Sequence, residues 1–355
     1  MSNLSLPLLL AIFAAAAGAV WVAGIKLSNT TDVLSTRLGM GQALGGLILL
    51  SLATNLPEIA ITASAALAHN LGIAIGNILG GIAIQTVVLV LLDALGVRGD
   101  RSLTYRAASL QLVLEAALVV AVLVVSIAGT RLPKSLIAFR VAPAGLVIAA
   151  LWVAGLVLLK RAGAGLPWHE SGQPPDSQQP PRGHAAKKKE QDATNKNVST
   201  AHAGVVFGVA AVVTLVAGVL LERSGDVISG HIGLSGVLFG ATVLAAATSL
   251  PELSTGLTSV RLGDYQLAMS DIFGGNAFLP VLFLLASLLS GSAVLPQAQD
   301  TDVYLTALGA LLTVVYLVGL IFRPTRRIAR MGIDSLVVLV LYAVGVVGLV
   351  AIAQR

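Results

Sequence analysis

Thr54-Asn55-Leu56-Pro57-Glu58 returns 194 residues later as Thr248-Ser249-Leu250-Pro251-Glu252. Two further segments repeat at the same offset without a gap. Asp32-Val33-Leu34-Ser35 matches Asp226-Val227-Ile228-Ser229, and Ile78-Leu79-Gly80-Gly81 matches Ile272-Phe273-Gly274-Gly275. Three matches at one offset mark a duplicated unit. Around the repeats the chain is strongly apolar. Of its 355 residues 56% are hydrophobic and 11% charged, and the mean hydropathy is +0.90. A soluble domain needs a polar outside and cannot hide that much apolar surface. A bilayer removes the demand, and apolar runs long enough to cross about 30 Å of hydrocarbon recur throughout.

Ten spans are predicted, at about 4–25, 40–67, 72–96, 106–128, 135–159, 203–221, 232–261, 266–290, 302–322 and 332–353. The first is too long for a signal-peptide core and lacks a basic start, so it reads as a span. The hydrophilic stretch 161–200, with two Pro-Pro pairs and Lys187-Lys188-Lys189, reads as a cytoplasmic linker between halves 1–160 and 201–355. Five spans per half force the second half to enter the membrane from the opposite side. The expected fold is therefore all-α and polytopic, with ten transmembrane helices in two inverted five-helix repeats. Lys and Arg gather on one set of loops, which places the N-terminus outside and the linker inside, in the plasma (inner) membrane. The net charge of +5 and pI near 9.7 follow from these loops and imply no nucleic-acid partner. Cysteine is absent, which excludes disulfides and thiolate metal sites.

The repeated motif carries the chemistry. Pro57 has no N–H, so the Ala53 carbonyl loses its helical partner; Pro251 does the same to Ala247. Such carbonyls must be satisfied inside a membrane by protein, water or an ion. One residue on stands Glu58 or Glu252. An ionised carboxylate at mid-bilayer costs about 2.5–3.5 kcal/mol even on the lenient insertion scale. Two of them brought together would also repel, and a cation between them relieves both penalties. Carboxylates with freed carbonyls are the oxygen ligands Ca²⁺ takes. A second polar position lies 19 residues after each glutamate, at Asn77 and Asp271.

Ser-Leu-Ala-Thr-Asn-Leu-Pro-Glu with Gly-Asn-Ile-Leu-Gly-Gly, and Ala-Thr-Ser-Leu-Pro-Glu-Leu with Ser-Asp-Ile-Phe-Gly-Gly-Asn, resemble the two α-repeats of the cation/Ca²⁺ exchanger superfamily, in particular its prokaryotic Na⁺/Ca²⁺ exchangers. The resemblance implies an antiporter that exchanges Ca²⁺ for Na⁺ by alternating access. It makes Glu58 and Glu252 the principal Ca²⁺ ligands, with the backbone carbonyls of Thr54 and Thr248 completing the shell. Asn55 and Ser249 would hold Na⁺ or order the site. Spans 2, 3, 7 and 8 would form a core across which spans 1 and 6 slide. The chain departs from the pattern where the family carries a serine, at Gly81 and Gly275, and where it carries Asn or Asp, at Gln85 and Leu279. These positions help build the sodium sites, so H⁺ or another cation is the alternative counter-ion, and a non-transporting sensor or scaffold is the alternative of another class. No cofactor is expected, and no nucleophile–base pair or His-rich motif points to an enzyme.

Other intramembrane polar residues carry lesser expectations. Glu115 and Gln111 sit one turn apart, which suggests a local hydrogen bond or a partner such as Arg140. Asp93 and Asp334 lie near span ends and read as interfacial. His69 and His231 read as loop-edge residues, and Pro143 and Pro280 as kinks.

Overall fold

The computed structural model describes residues 1, 4–37, 51–137, 141–163 and 199–354. Most of the predicted linker, the first part of span 2, and Arg140 lie outside the described residues. The first half holds α1 (Leu6–Arg37), α2 (Ser51–Thr54), α3 (Leu56–Leu67), α4 (Leu71–Leu91), α5 (Leu103–Ala107), α6 (Leu110–Thr130) and α7 (Pro143–Gly163). The second holds α8 (Thr200–Ile232), α9 (Gly236–Phe239), α10 (Ala245–Thr248), α11 (Leu250–Leu262), α12 (Tyr265–Phe278), α13 (Leu282–Ser290), α14 (Asp300–Phe322) and α15 (Ile333–Ala353). A two-stranded hairpin, β1 (Arg327–Ile328) with β2 (Met331–Gly332), joins the last two helices. Among the described residues eight helices are long and apolar enough to cross a membrane. A ninth candidate is the pair Gly236–Thr248 and Leu250–Arg261, bent by 42°. The chain is a multi-pass helical membrane protein.

Two helices outrun their predicted spans. α1 has 32 residues and α8 has 33, against the predicted 4–25 and 203–221. The polar residues after Ile25 and Leu221 end the apolar run but not the helix, because no proline follows before Arg37 or Ile232. The long helices lie against each other, and each crosses the opposite half at a glycine. A Cβ on Gly24 would stand 2.7 Å from Pro251 Cβ. One on Gly218, 194 residues later, would stand 2.7 Å from Ala60 Cβ and 3.1 Å from the Pro57 carbonyl. Only glycine permits that approach.

The prolines behave differently from each other. Pro143 opens α7, where its missing N–H costs nothing, so it starts a helix instead of kinking one. Pro280 sits in a 3₁₀ turn, Leu279–Val281, that separates α12 from α13, as a kink requires.

Asp93 and Asp334 stand at the ends of their spans, as expected, and the protein buries both; their relative exposures are 0% and 6%. Asp93 Oδ2 accepts from Gly332 N (2.6 Å) and Ser335 Oγ (2.8 Å), and Oδ1 accepts from Leu103 N (2.9 Å). Arg327 Nη2 stands 3.7 Å from Oδ1 and donates to the Asp93 carbonyl at 3.0 Å. Hydropathy placed these acids at span ends, but the hairpin folds back and covers them. The cluster ties the end of α4 to the start of α15 and so joins the two halves. Asp93→Ala leaves three buried donors without their acceptor and the arginine without its ion-pair partner, a loss of about 3–5 kcal/mol. It should lower the thermal unfolding midpoint of the detergent-purified protein markedly, and Asp93→Asn, which keeps one acceptor, should lower it less. Equal, small shifts would remove the cluster from the forces holding the halves together.

Candidate functional site

The two Pro-Glu motifs fold alike. The helix stops at Thr54 and restarts at Leu56; in the second half it stops at Thr248 and restarts at Leu250. The residues at the breaks have the same backbone, with φ −85° and ψ 8° at Asn55 and φ −83° and ψ 2° at Ser249. The new helices close at once, through Ile59 N to the Asn55 carbonyl (3.0 Å) and Leu253 N to the Ser249 carbonyl (3.1 Å). Proline is the second residue of each restarted helix, and the glutamate follows in its first turn. There the positive end of the half-helix dipole faces the carboxylate.

Glu58 is 0% and Glu252 2% exposed. None of their four carboxylate oxygens has a hydrogen-bond partner among the described residues. The two are brought together: Glu252 feels the charge of Glu58 and of Asp271. The Thr248 side chain lies beside Glu58, but its hydroxyl donates backward to the Ala245 carbonyl at 3.2 Å. The Ser249 hydroxyl does the same at 2.8 Å. Both hydroxyl oxygens keep lone pairs for a cation. Asp271 accepts from Thr255 Oγ1 at 3.1 Å, and its Oδ1 has no partner. Thr54 and Asn55 are buried at the first break. Asn77 is fully buried on α4, and neither of its side-chain polar atoms has a hydrogen-bond partner among the described residues.

Among the described residues no lysine, arginine or histidine is buried, and no three acidic or histidine side chains converge as a metal cluster. The available set is thus the two glutamates, with Asp271 in reach of Glu252, plus neutral oxygens, the ligand type that hard cations take.

The four departing positions meet in pairs. A Cβ on Gly81 would stand 3.3 Å from Leu279 Cδ1, and one on Gly275 would stand 3.3 Å from Gln85 Oε1 and 3.2 Å from Asn55 Nδ2. Glycine therefore makes room for the larger partner in both halves. Beside them Asn276 Nδ2 reaches the carbonyl of its own repeat mate, Ile82, at 3.4 Å, and Thr86 Oγ1 at 3.2 Å.

Two polar residues escape a sequence reading. Asn276 closes the quoted Ser-Asp-Ile-Phe-Gly-Gly-Asn motif, but the sequence reading gives it no role. Glu222, 2% exposed, falls past the predicted end of span 6 but lies inside α8, where its Oε2 accepts from Ser64 Oγ at 2.8 Å. A helix carried through the polar residues after Leu221 would have flagged it. The expected Gln111–Glu115 bond is present, at 3.2 Å.

The sodium/calcium exchanger protein family model matches residues 8–160 and 202–351. Inner membrane protein YrbG of Escherichia coli (strain K12) is 26% identical over 279 residues, 78% of either chain. The fold matches the H⁺/Ca²⁺ exchanger CAX with a TM-score of 0.62 at 12% identity, covering 97% of this chain and 87% of that one. It matches the sodium-calcium exchanger NCX_Mj, soaked with Na⁺ and Sr²⁺, with a TM-score of 0.62 at 17% identity, covering 97% and 99%.

Two facing, unpartnered carboxylates strain the protein when no cation is present. In cation-free buffer Glu58→Gln and Glu252→Gln should each raise the thermal unfolding midpoint, by an increment worth about 1–3 kcal/mol. A lowered midpoint in both would mean that the carboxylates bond to the resting protein.

Proposed function

We propose that this chain, which belongs to the sodium/calcium exchanger protein family, is a secondary-active antiporter exchanging Ca²⁺ for Na⁺ by alternating access. The observation that carries the reading is the meeting of Glu58 and Glu252, each buried at the start of a half-helix with both oxygens unpartnered. Ca²⁺ cancels both charges at once. The Thr54 and Thr248 carbonyls, with oxygens of Asn55 and Ser249, extend the shell. Asp271 stands against Glu252 and adds charge, and Asn77 occupies the matching place in the first half.

The architecture proposed for this work is ten spans in two inverted five-helix units, 1–160 and 201–355, joined by a hydrophilic linker at 161–200. Residues 40–67 supply the second span and 232–261 the seventh. Reciprocal contacts at the 194-residue offset support it: Gly24 on Pro251 with Gly218 on Pro57, and Gly81 on Leu279 with Gly275 beside Gln85. The glycine crossings fit α1 and α8 sliding across the broken helices. The N-terminus faces outward and the linker inward, in the plasma (inner) membrane.

One observation favours a second reading, exchange of Ca²⁺ for H⁺. Leu279 offers no oxygen, and it fills the space that Gly81 leaves. The sodium positions implied by the family resemblance are reduced to that extent.

Purified protein in proteoliposomes should accumulate Ca²⁺ when a Na⁺ or a H⁺ gradient is imposed, and the effective gradient names the counter-ion. Glu58→Gln and Glu252→Gln should each reduce uptake by at least about tenfold and remove Ca²⁺ binding in calorimetry. Uptake insensitive to both gradients, or persisting in both variants, would reject the two-glutamate antiport site.

A further inference from the structure

A second group of unpartnered polar atoms lies beside the two-glutamate centre, where α6 packs on α12. Glu115 on α6 is 2% exposed; its Oε1 accepts from Gln111 Nε2 at 3.2 Å and its Oε2 has no partner. Ser270 on α12 faces the same carboxylate. It is 7% exposed and its hydroxyl is also without a hydrogen-bond partner. The next residue is Asp271, whose Oδ1 is unpartnered and whose charge reaches Glu252. The helix α12 thus carries Asp271 toward Glu252 and, one residue earlier, Ser270 toward Glu115.

The Gln111 bond satisfies one oxygen of Glu115 and leaves the other buried and open. A structural role alone would leave such a carboxylate uncompensated, which a membrane interior makes costly. Charge counting sharpens the point. A divalent cation balances Glu58 and Glu252 and leaves Asp271 and Glu115, one charge each. The Gln111 amide N–H faces Glu115, so the open oxygens are one carboxylate, of Glu115, and one neutral hard oxygen, of the Ser270 hydroxyl. That set suits a monovalent hard cation and undercharges a divalent one.

We propose that Glu115 and Ser270, with Gln111 orienting the carboxylate, form a second cation site that holds Na⁺, on the helix that also carries Asp271. The proposal rests on the antiport reading for its purpose, since it places a counter-ion beside the Ca²⁺ site. Its geometry is independent of that reading. The repeat mate of Glu115 is Gly309, so the site belongs to one half alone.

The test is equilibrium binding of radiolabelled Na⁺ and, separately, radiolabelled Ca²⁺ to the purified full-length protein. Glu115→Gln should weaken Na⁺ binding by at least about tenfold, while Ca²⁺ affinity in Na⁺-free buffer stays within about twofold of wild type. Ser270→Ala should weaken Na⁺ binding by a smaller factor, and Glu115→Asp should restore part of it. If Glu115→Gln does not fold, Ser270→Ala carries the same comparison. Unchanged Na⁺ binding in folded variants overturns the site, whatever Ca²⁺ does. So does a wild type that binds no Na⁺, or variants in which only the response to a proton gradient is lost. Wild type that binds Na⁺ through Glu115 but binds no Ca²⁺ would uphold this site and reject the antiport reading.

Discussion

A carboxylate inside a bilayer must find a positive charge, and the arrangement around Glu58 and Glu252 is organised by that need. Among the described residues neither glutamate has a protein hydrogen bond and no buried basic side chain answers them. Two devices make the position tolerable. The helix break puts each carboxylate in the first turn of a half-helix, where the backbone dipole favours negative charge. The opposing geometry leaves the oxygens free for an external cation. The proline before each glutamate is the cause of both, because it ends one run of helical hydrogen bonds and begins another. A carboxylate held by lysine or arginine would be more comfortable, but it could not release a cation and take another.

Packing around the centre serves the same end. α1 and α8 meet the broken helices at Gly24 and Gly218, directly against the prolines of the two motifs or the helix that carries them. Side-chain interdigitation is minimal at these crossings, so little has to be unpacked for one surface to move along the other. The Asp93 cluster is the opposite kind of contact. It is dense in hydrogen bonds and carries a partly covered arginine, and it fixes the hairpin and α15 to the end of α4. Smooth glycine crossings and a densely bonded scaffold coexist in one chain.

The motif pair was legible in the sequence because proline and glutamate act locally. The consequence of Pro57 for the Ala53 carbonyl needs no tertiary information, and the break falls where the residues put it. The helical, multi-pass class was legible from hydropathy for the same reason. The ends of α1 and α8 were not, since hydropathy reports the apolar run and the helix continues on backbone propensity through Lys26 and Arg223. The burial of Asp93 depends on a hairpin more than 200 residues away in sequence that folds back over it. Pro143 reads the same as Pro280 along the chain, and only the preceding backbone decides which of them starts a helix. The fit of Gly81 to Leu279, and of Gly275 to Gln85, is likewise a property of the pair. Each looks like an isolated departure until the two helices are set side by side.

The Ser64–Glu222 bond bears on the balance between the two faces of the membrane. Its repeat mates are Thr258 and Ser28, which include no acid. A carrier whose halves trade conformations passes between two mirror-related arrangements, and these are equal in free energy only if the halves are equal. A hydrogen bond to a charged group contributes about 1.5–3 kcal/mol. Present in one arrangement and impossible in its mirror, such a bond favours one resting orientation by about ten- to a hundredfold. Under the antiport reading the molecule then has a default side on which it waits for its ion, and the step away from that side is the one a bound ion has to favour.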